Sequence, residues 1–89
     1  MRIRWTTEAC DQLTGIVKYV GAESADAASK VAHSIITAID RLEAFPYLGR
    51  PGEVEGTCEL VSSPYVIVYR IRSDIIEILH IWHGAQDWR

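Results

Sequence analysis

Eighty-nine residues suffice for one domain with a single modest core, and 48% hydrophobic against 24% charged residues excludes a disordered or fibrous chain. A net charge of −3 and a pI near 5.5 give no long-range pull toward nucleic acid or anionic membrane, so a nucleic-acid partner would need a local basic patch. Cys10 and Cys58 are the only cysteines and offer no metal-ligand spacing, so neither a metal nor another cofactor is expected.

The first four residues after Met1, Arg2-Ile3-Arg4-Trp5, alternate charge with bulk, the signature of a half-buried strand with Ile3 and Trp5 on one side. No apolar leader is present there, which sets the expectation of a cytoplasmic protein with both thiols reduced. Thr6 or Thr7 then caps a helix, Glu8 meets its dipole, and Ala9, Leu13, Ile16, Val17 and Val20 recur at helical spacing until Gly21 stops it. Ser24 caps a second helix, in which Ala28, Val31, Ala32, Ile35, Ile36, Ile39 and Leu42 keep the three-and-four rhythm to the end. The short connection predicts an antiparallel helical hairpin.

Phe45-Pro46 ends the second helix, and the glycines and prolines between Pro46 and Gly56 predict a loop. Beyond it, Thr57 to Ser62 reads as a short strand, Tyr65 to Arg72 as an alternating one, and Ile75 to Trp82 as its partner across a Ser73-Asp74 turn. Arg70, Arg72, Asp74 and Glu77 interrupt the apolar runs here, so no membrane span is expected. The order β-α-α-β-β-β, with both helices ahead of most strands, predicts a single α+β domain: an antiparallel sheet with the helical hairpin on one face. Because Ile75 to Trp82 is apolar on nearly every residue, the open face is expected to meet a partner rather than bare water.

The run of motifs Phe45-Pro46, Gly49-Arg50-Pro51-Gly52, Gly56-Thr57 with Glu59-Leu60, Pro64 to Ile71, and His83-Gly84 with Gln86-Asp87-Trp88 resembles the RelE/ParE superfamily of bacterial toxins from type II toxin–antitoxin systems, closest to its ParE-like branch. The resemblance covers nearly the whole chain. It implies a cognate antitoxin that wraps and blocks the toxin, possible assembly into a dimer or higher complex, and, for the ParE-like branch, DNA gyrase as the inhibited target. The alternatives are a ribosome-dependent messenger-RNA endonuclease and a disabled toxin.

For RNA cleavage through the 2′-hydroxyl, a base, an acid and cations on the phosphate are needed. His83 and Glu59 are the acid–base candidates, and Arg70 and Arg72 the phosphate ligands. Two positions weigh against that reading: the family pattern usually carries arginine where this chain has Cys58 and where it has Ala85. Losing two guanidinium clamps, each worth about 2 kcal/mol, favours a toxin that binds a protein. The expected contact residues are Arg50, Tyr65, Arg70, Arg72, His83, Gln86, Asp87 and Trp88. His80 within its strand reads as a structural, hydrogen-bonded residue, and Trp82 and Trp88 as interface anchors.

Overall fold

The computed structural model describes residues 1–84. In chain order the elements are β1 (Arg2–Trp5), α1 (Thr7–Gly21), α2 (Ala25–Asp40) with a 3₁₀ turn at Arg41–Glu43, β2 (Arg50–Pro51), β3 (Cys58–Ser62), β4 (Tyr65–Arg72) and β5 (Ile75–His83). Both helix starts follow from local side-chain chemistry. Thr6 accepts from the Ala9 amide and Ser24 from the Ala27 amide, satisfying donors that the first helical turn leaves free.

The five strands form one sheet in the order β1-β5-β4-β3-β2. β3, β4 and β5 make the expected antiparallel meander, but the expectation of a wholly antiparallel sheet is corrected: β1 runs parallel to β5, with Arg2 opposite Ile75 and Trp5 opposite Ile78. The helical hairpin is the reason. It carries the chain away from β1, and the strand that returns beside it is the last one, laid in the same direction. A second correction concerns the loop after α2, which contributes β2: Arg50 and Pro51 pair with Glu59 and Cys58 and add a short edge to the sheet.

Where β4 and β5 pair, the register shifts between Val68 and Tyr69. Val68 lies opposite His80 but Tyr69 opposite Ile78, so Leu79 is an extra residue on β5. That bulge swaps the faces of the strand halfway along. Ile76 and Ile78 point to the core before it, Ile81 after it, and all three are buried. The nearly continuous apolar run in β5 therefore reflects a bulge more than a sheet covered on both sides.

The core lies between the hairpin and the inner sheet face. Ile35, Ile39 and Leu42 meet Leu60, Ile67, Tyr69, Ile76 and Ile78, with Ala9 buried beneath α1. Ile3 and Trp5 pack against this cluster as their alternation predicts. Among the described residues, no helix covers the opposite sheet face.

Candidate functional site

The predicted contact residues divide between two surfaces. On the helix-covered side, α1 and the far end of β5 enclose an open groove of about 530 Å³ lined by Gln12, Gly15, Ile16, Tyr19, Tyr65, Ile81, Trp82 and His83. Tyr65 and His83, opposite one another in the β4–β5 ladder, meet edge to face with ring centroids 5.6 Å apart. β1 pairs with β5 only as far as Ile78, which leaves the upper edge of β5 without a strand. Gln12 covers part of that edge, its Oε1 accepting from the Ile81 amide at 2.8 Å. Sequence reasoning missed Gln12 and Tyr19, because helical periodicity marks them only as outward-facing positions.

The open sheet face holds the arginines. Glu59 is buried and its Oε1 accepts from Arg50 Nε at 3.1 Å across the β2–β3 pair. Glu77, only 3% exposed, is bound from both neighbouring strands: Oε1 accepts from Arg70 Nε at 2.7 Å, and Oε2 is paired with Arg4 from β1. Both carboxylates are thus held in place by guanidinium groups rather than presented to solvent, the usual condition for burying a charge. Arg72 is exposed and, among the described residues, makes no ion pair. Further along the same face, His80 stacks on Trp82 with centroids 4.6 Å apart, and its Nδ1 lies 2.7 Å from Glu8 Oε2.

Cys58, at the position where the family pattern has arginine, pairs with Tyr69 and packs against the helix-side core. It lines a cleft with Tyr47, Gly49 and Pro51. An arginine at this position would emerge beside that loop rather than beside Arg70. The loop is held by one buried phenol: Tyr69 Oη accepts from the Gly49 amide at 3.0 Å and donates to the Pro46 carbonyl at 2.9 Å. Burial raises the Tyr69 pKa above its ordinary 10.0, Cys58 pushes the same way, and the Gly49 amide opposes them. Gly49 has no room for a side chain, since a Cβ there would sit 2.7 Å from the Glu59 carbonyl and 2.8 Å from Tyr69 Oη. The same anchorage leaves Phe45 and Tyr47 exposed on a fixed loop. The expected contacts Gln86, Asp87 and Trp88, and Ala85 with its altered family arginine, lie outside the described residues.

A small mixed sheet with a helical hairpin on one side and arginines on the other defines the α+β class to which the chain belongs. Residues 3–88 match the family described as ParE toxin of type II toxin–antitoxin system, parDE, and the chain belongs to that family. It is 45% identical over 89 residues to the putative toxin Y4kP of Sinorhizobium fredii, covering 98% of this chain and 92% of that protein. It is 34% identical over 85 residues to toxin RelE2 of Caulobacter vibrioides, covering 96% and 97%. Among solved structures, the chromosomal ParDE toxin–antitoxin system from P. aeruginosa contains a chain that superposes with a TM-score of 0.83 at 30% identity, over 93% of this chain and 95% of that one. The RelBE2 complex from Mycobacterium tuberculosis shares the fold, with a TM-score of 0.70 at 23% identity, over 92% and 95%.

Proposed function

We propose that this toxin acts by binding and inhibiting a protein target, DNA gyrase, and is neutralised by a cognate antitoxin. The observation that carries this reading is the separation of the groups an RNA-cleaving site would need. A nuclease must bring its acid or base within about 3 Å of the atoms attached to a phosphate that cations also hold. Here His83 lines the groove beside α1 with Tyr65, while Arg70 and Arg72 stand on the opposite face of the sheet. Glu59, the other base candidate, is occupied by Arg50. His83 and Glu59 therefore do not converge with Arg70 and Arg72 on one point, and His80, which shares a depression with those two arginines, is held by Glu8 and stacked on Trp82.

Binding needs no such convergence. The bare sheet face, with Val61, Val66 and Ile75 among its arginines, offers a broad mixed surface for a protein target. The apolar, aromatic-lined groove beside the uncovered β5 edge suits a segment of the antitoxin. ParE family membership and the likeness to a ParDE toxin–antitoxin system support a cognate antitoxin as one partner.

The similarity to a toxin named RelE2 favours ribosome-dependent messenger-RNA cleavage as the second reading. One experiment separates the two: purified protein is added to gyrase in a supercoiling assay and to translating ribosomes carrying a reporter message. The expected result is loss of supercoiling with the message intact. Full gyrase activity together with codon-positioned cuts would reverse the assignment.

A further inference from the structure

The charges of this acidic protein are not evenly spread. The helices carry Glu8, Asp11, Asp26 and Asp40 against only Lys18 and Lys30. On the bare sheet face the balance is reversed, and every cation there is an arginine. The ladder registers set four of them in two successive rows across three strands: Arg2, Ile75 and Arg72 in one, Arg4, Glu77 and Arg70 in the next. Arg4, Arg72, Ile75 and Glu77 line one shallow depression, which shows that the two rows share a surface.

Within the second row, Glu77 fixes both of its neighbours by direct pairing, so neither guanidinium has to be ordered when a ligand arrives. One carboxylate cannot neutralise two arginines, and the row keeps a net positive charge. In the first row Arg2 and Arg72 are exposed and, among the described residues, unpaired, with Ile75 as an apolar floor between them. We infer that this end of the sheet face is a docking surface for an extended acidic segment of the target protein, with Arg2 and Arg72 as its contact residues and Glu77 as the positioning residue for Arg4 and Arg70. The inference rests on the reading that the chain works by gripping a protein.

An extended segment lying along β5 presents alternate side chains about 7 Å apart, which is the separation of two such rows. Discrete carboxylates match the surface better than a continuous phosphate chain. Asp74 closes one end of the rows in the β4–β5 turn, and Glu55 stands beside Arg70 and Arg72 at the rim, so a longer polyanion would run onto like charge.

The test uses the full chain and a peptide of about ten residues alternating glutamate with alanine, beside its glutamine counterpart and RNA and DNA oligonucleotides of similar length. Binding is followed by NMR through backbone amides and arginine Nε–H signals. The glutamate peptide is expected to shift the signals of Arg2, Arg4, Arg72 and Ile75 and to spare Gln12 and Tyr65. The paired change Arg2→Gln with Arg72→Gln should weaken it about tenfold without lowering the melting temperature. In the unliganded protein the Arg70 Nε–H should exchange slowly, and in Glu77→Gln, if folded, rapidly with weaker peptide binding. Equal binding of the glutamine peptide, full affinity in the paired variant, or shifts confined to the groove would each overturn the inference. So would tighter binding of an oligonucleotide to the rows, or concentration-dependent shifts there without peptide, which would assign the face to nucleic acid or to a second copy. The readout is peptide binding alone, so it decides the matter whether or not gyrase proves to be the target.

Discussion

Tyr69 ties core to surface through one hydroxyl. Replacing it with phenylalanine keeps the buried ring but leaves the Gly49 amide and the Pro46 carbonyl without their partner. The expected cost is about 1–3 kcal/mol in urea denaturation, with loosening of the loop that carries Phe45 and Tyr47. The variant should also behave differently at alkaline pH. Because the folded-state pKa of Tyr69 is raised above 10.0, its contribution is intact below that pH, where the phenol is neutral folded or unfolded. Above it the unfolded chain ionises first, and the contribution drains away as pH climbs through the folded pKa. The stability difference between the native protein and Tyr69→Phe should therefore shrink above pH 10.0; a constant difference would contradict the assignment.

Glu77 makes a second residue-level prediction. Its arginine partners have side chains 63% and 40% exposed, so each can return to water cheaply, whereas the carboxylate cannot. Arg4→Ala and Arg70→Ala should each cost about 1 kcal/mol, because the other guanidinium remains. Removing both strands a buried charge and should cost about 3 kcal/mol or more. A double-mutant cycle measures the excess, and simple additivity would show that the two arginines do not share one carboxylate.

Among the elements, what could be read from the sequence was what local chemistry determines. Thr6 and Ser24 announce their helices through caps, and the apolar rhythm from Ala28 to Leu42 marks the buried stripe of α2 and its 3₁₀ extension. The β4 span was legible residue for residue, because Tyr65, Ile67, Tyr69 and Ile71 alternate with Val66, Val68, Arg70 and Arg72. The parallel docking of β1 was not, since Arg2 to Trp5 shows which side is buried but not which strand lies next to it. The bulge at Leu79 was hidden for another reason: an extra residue within Ile78-Leu79-His80-Ile81 leaves no glycine or proline as a marker.

That bulge has a measurable consequence. Deleting Leu79 would remove the extra residue and give β5 an uninterrupted alternation that keeps Ile76, Ile78 and Ile81 on the core face. Because no core side chain changes face, the deletion should cost less than about 2 kcal/mol in thermal or chemical unfolding. A loss of more than about 3 kcal/mol would mean that Leu79 is not the extra residue of the strand.

For the molecule as a whole, the sheet acts as a partition. The expected site residues are mostly chemistry-bearing positions near the last two strands, and a list of residues along the chain does not reveal on which side each one emerges. The ladder places Tyr65 and His83 with the helices, and Arg70 and Arg72 on the bare face. This division separates an aromatic groove from an arginine surface, and it underlies the proposal of a toxin that holds its antitoxin on one side and its target on the other.

Methyl-labelled protein titrated with gyrase tests that division directly, because isoleucine and valine methyls mark both sides. The account predicts line broadening at Val61, Val66 and Ile75 on the bare sheet face, with Ile16 and Ile81 in the groove little changed. Broadening confined to Ile16 and Ile81, or none at a gyrase concentration that loses supercoiling activity to the toxin, would contradict it.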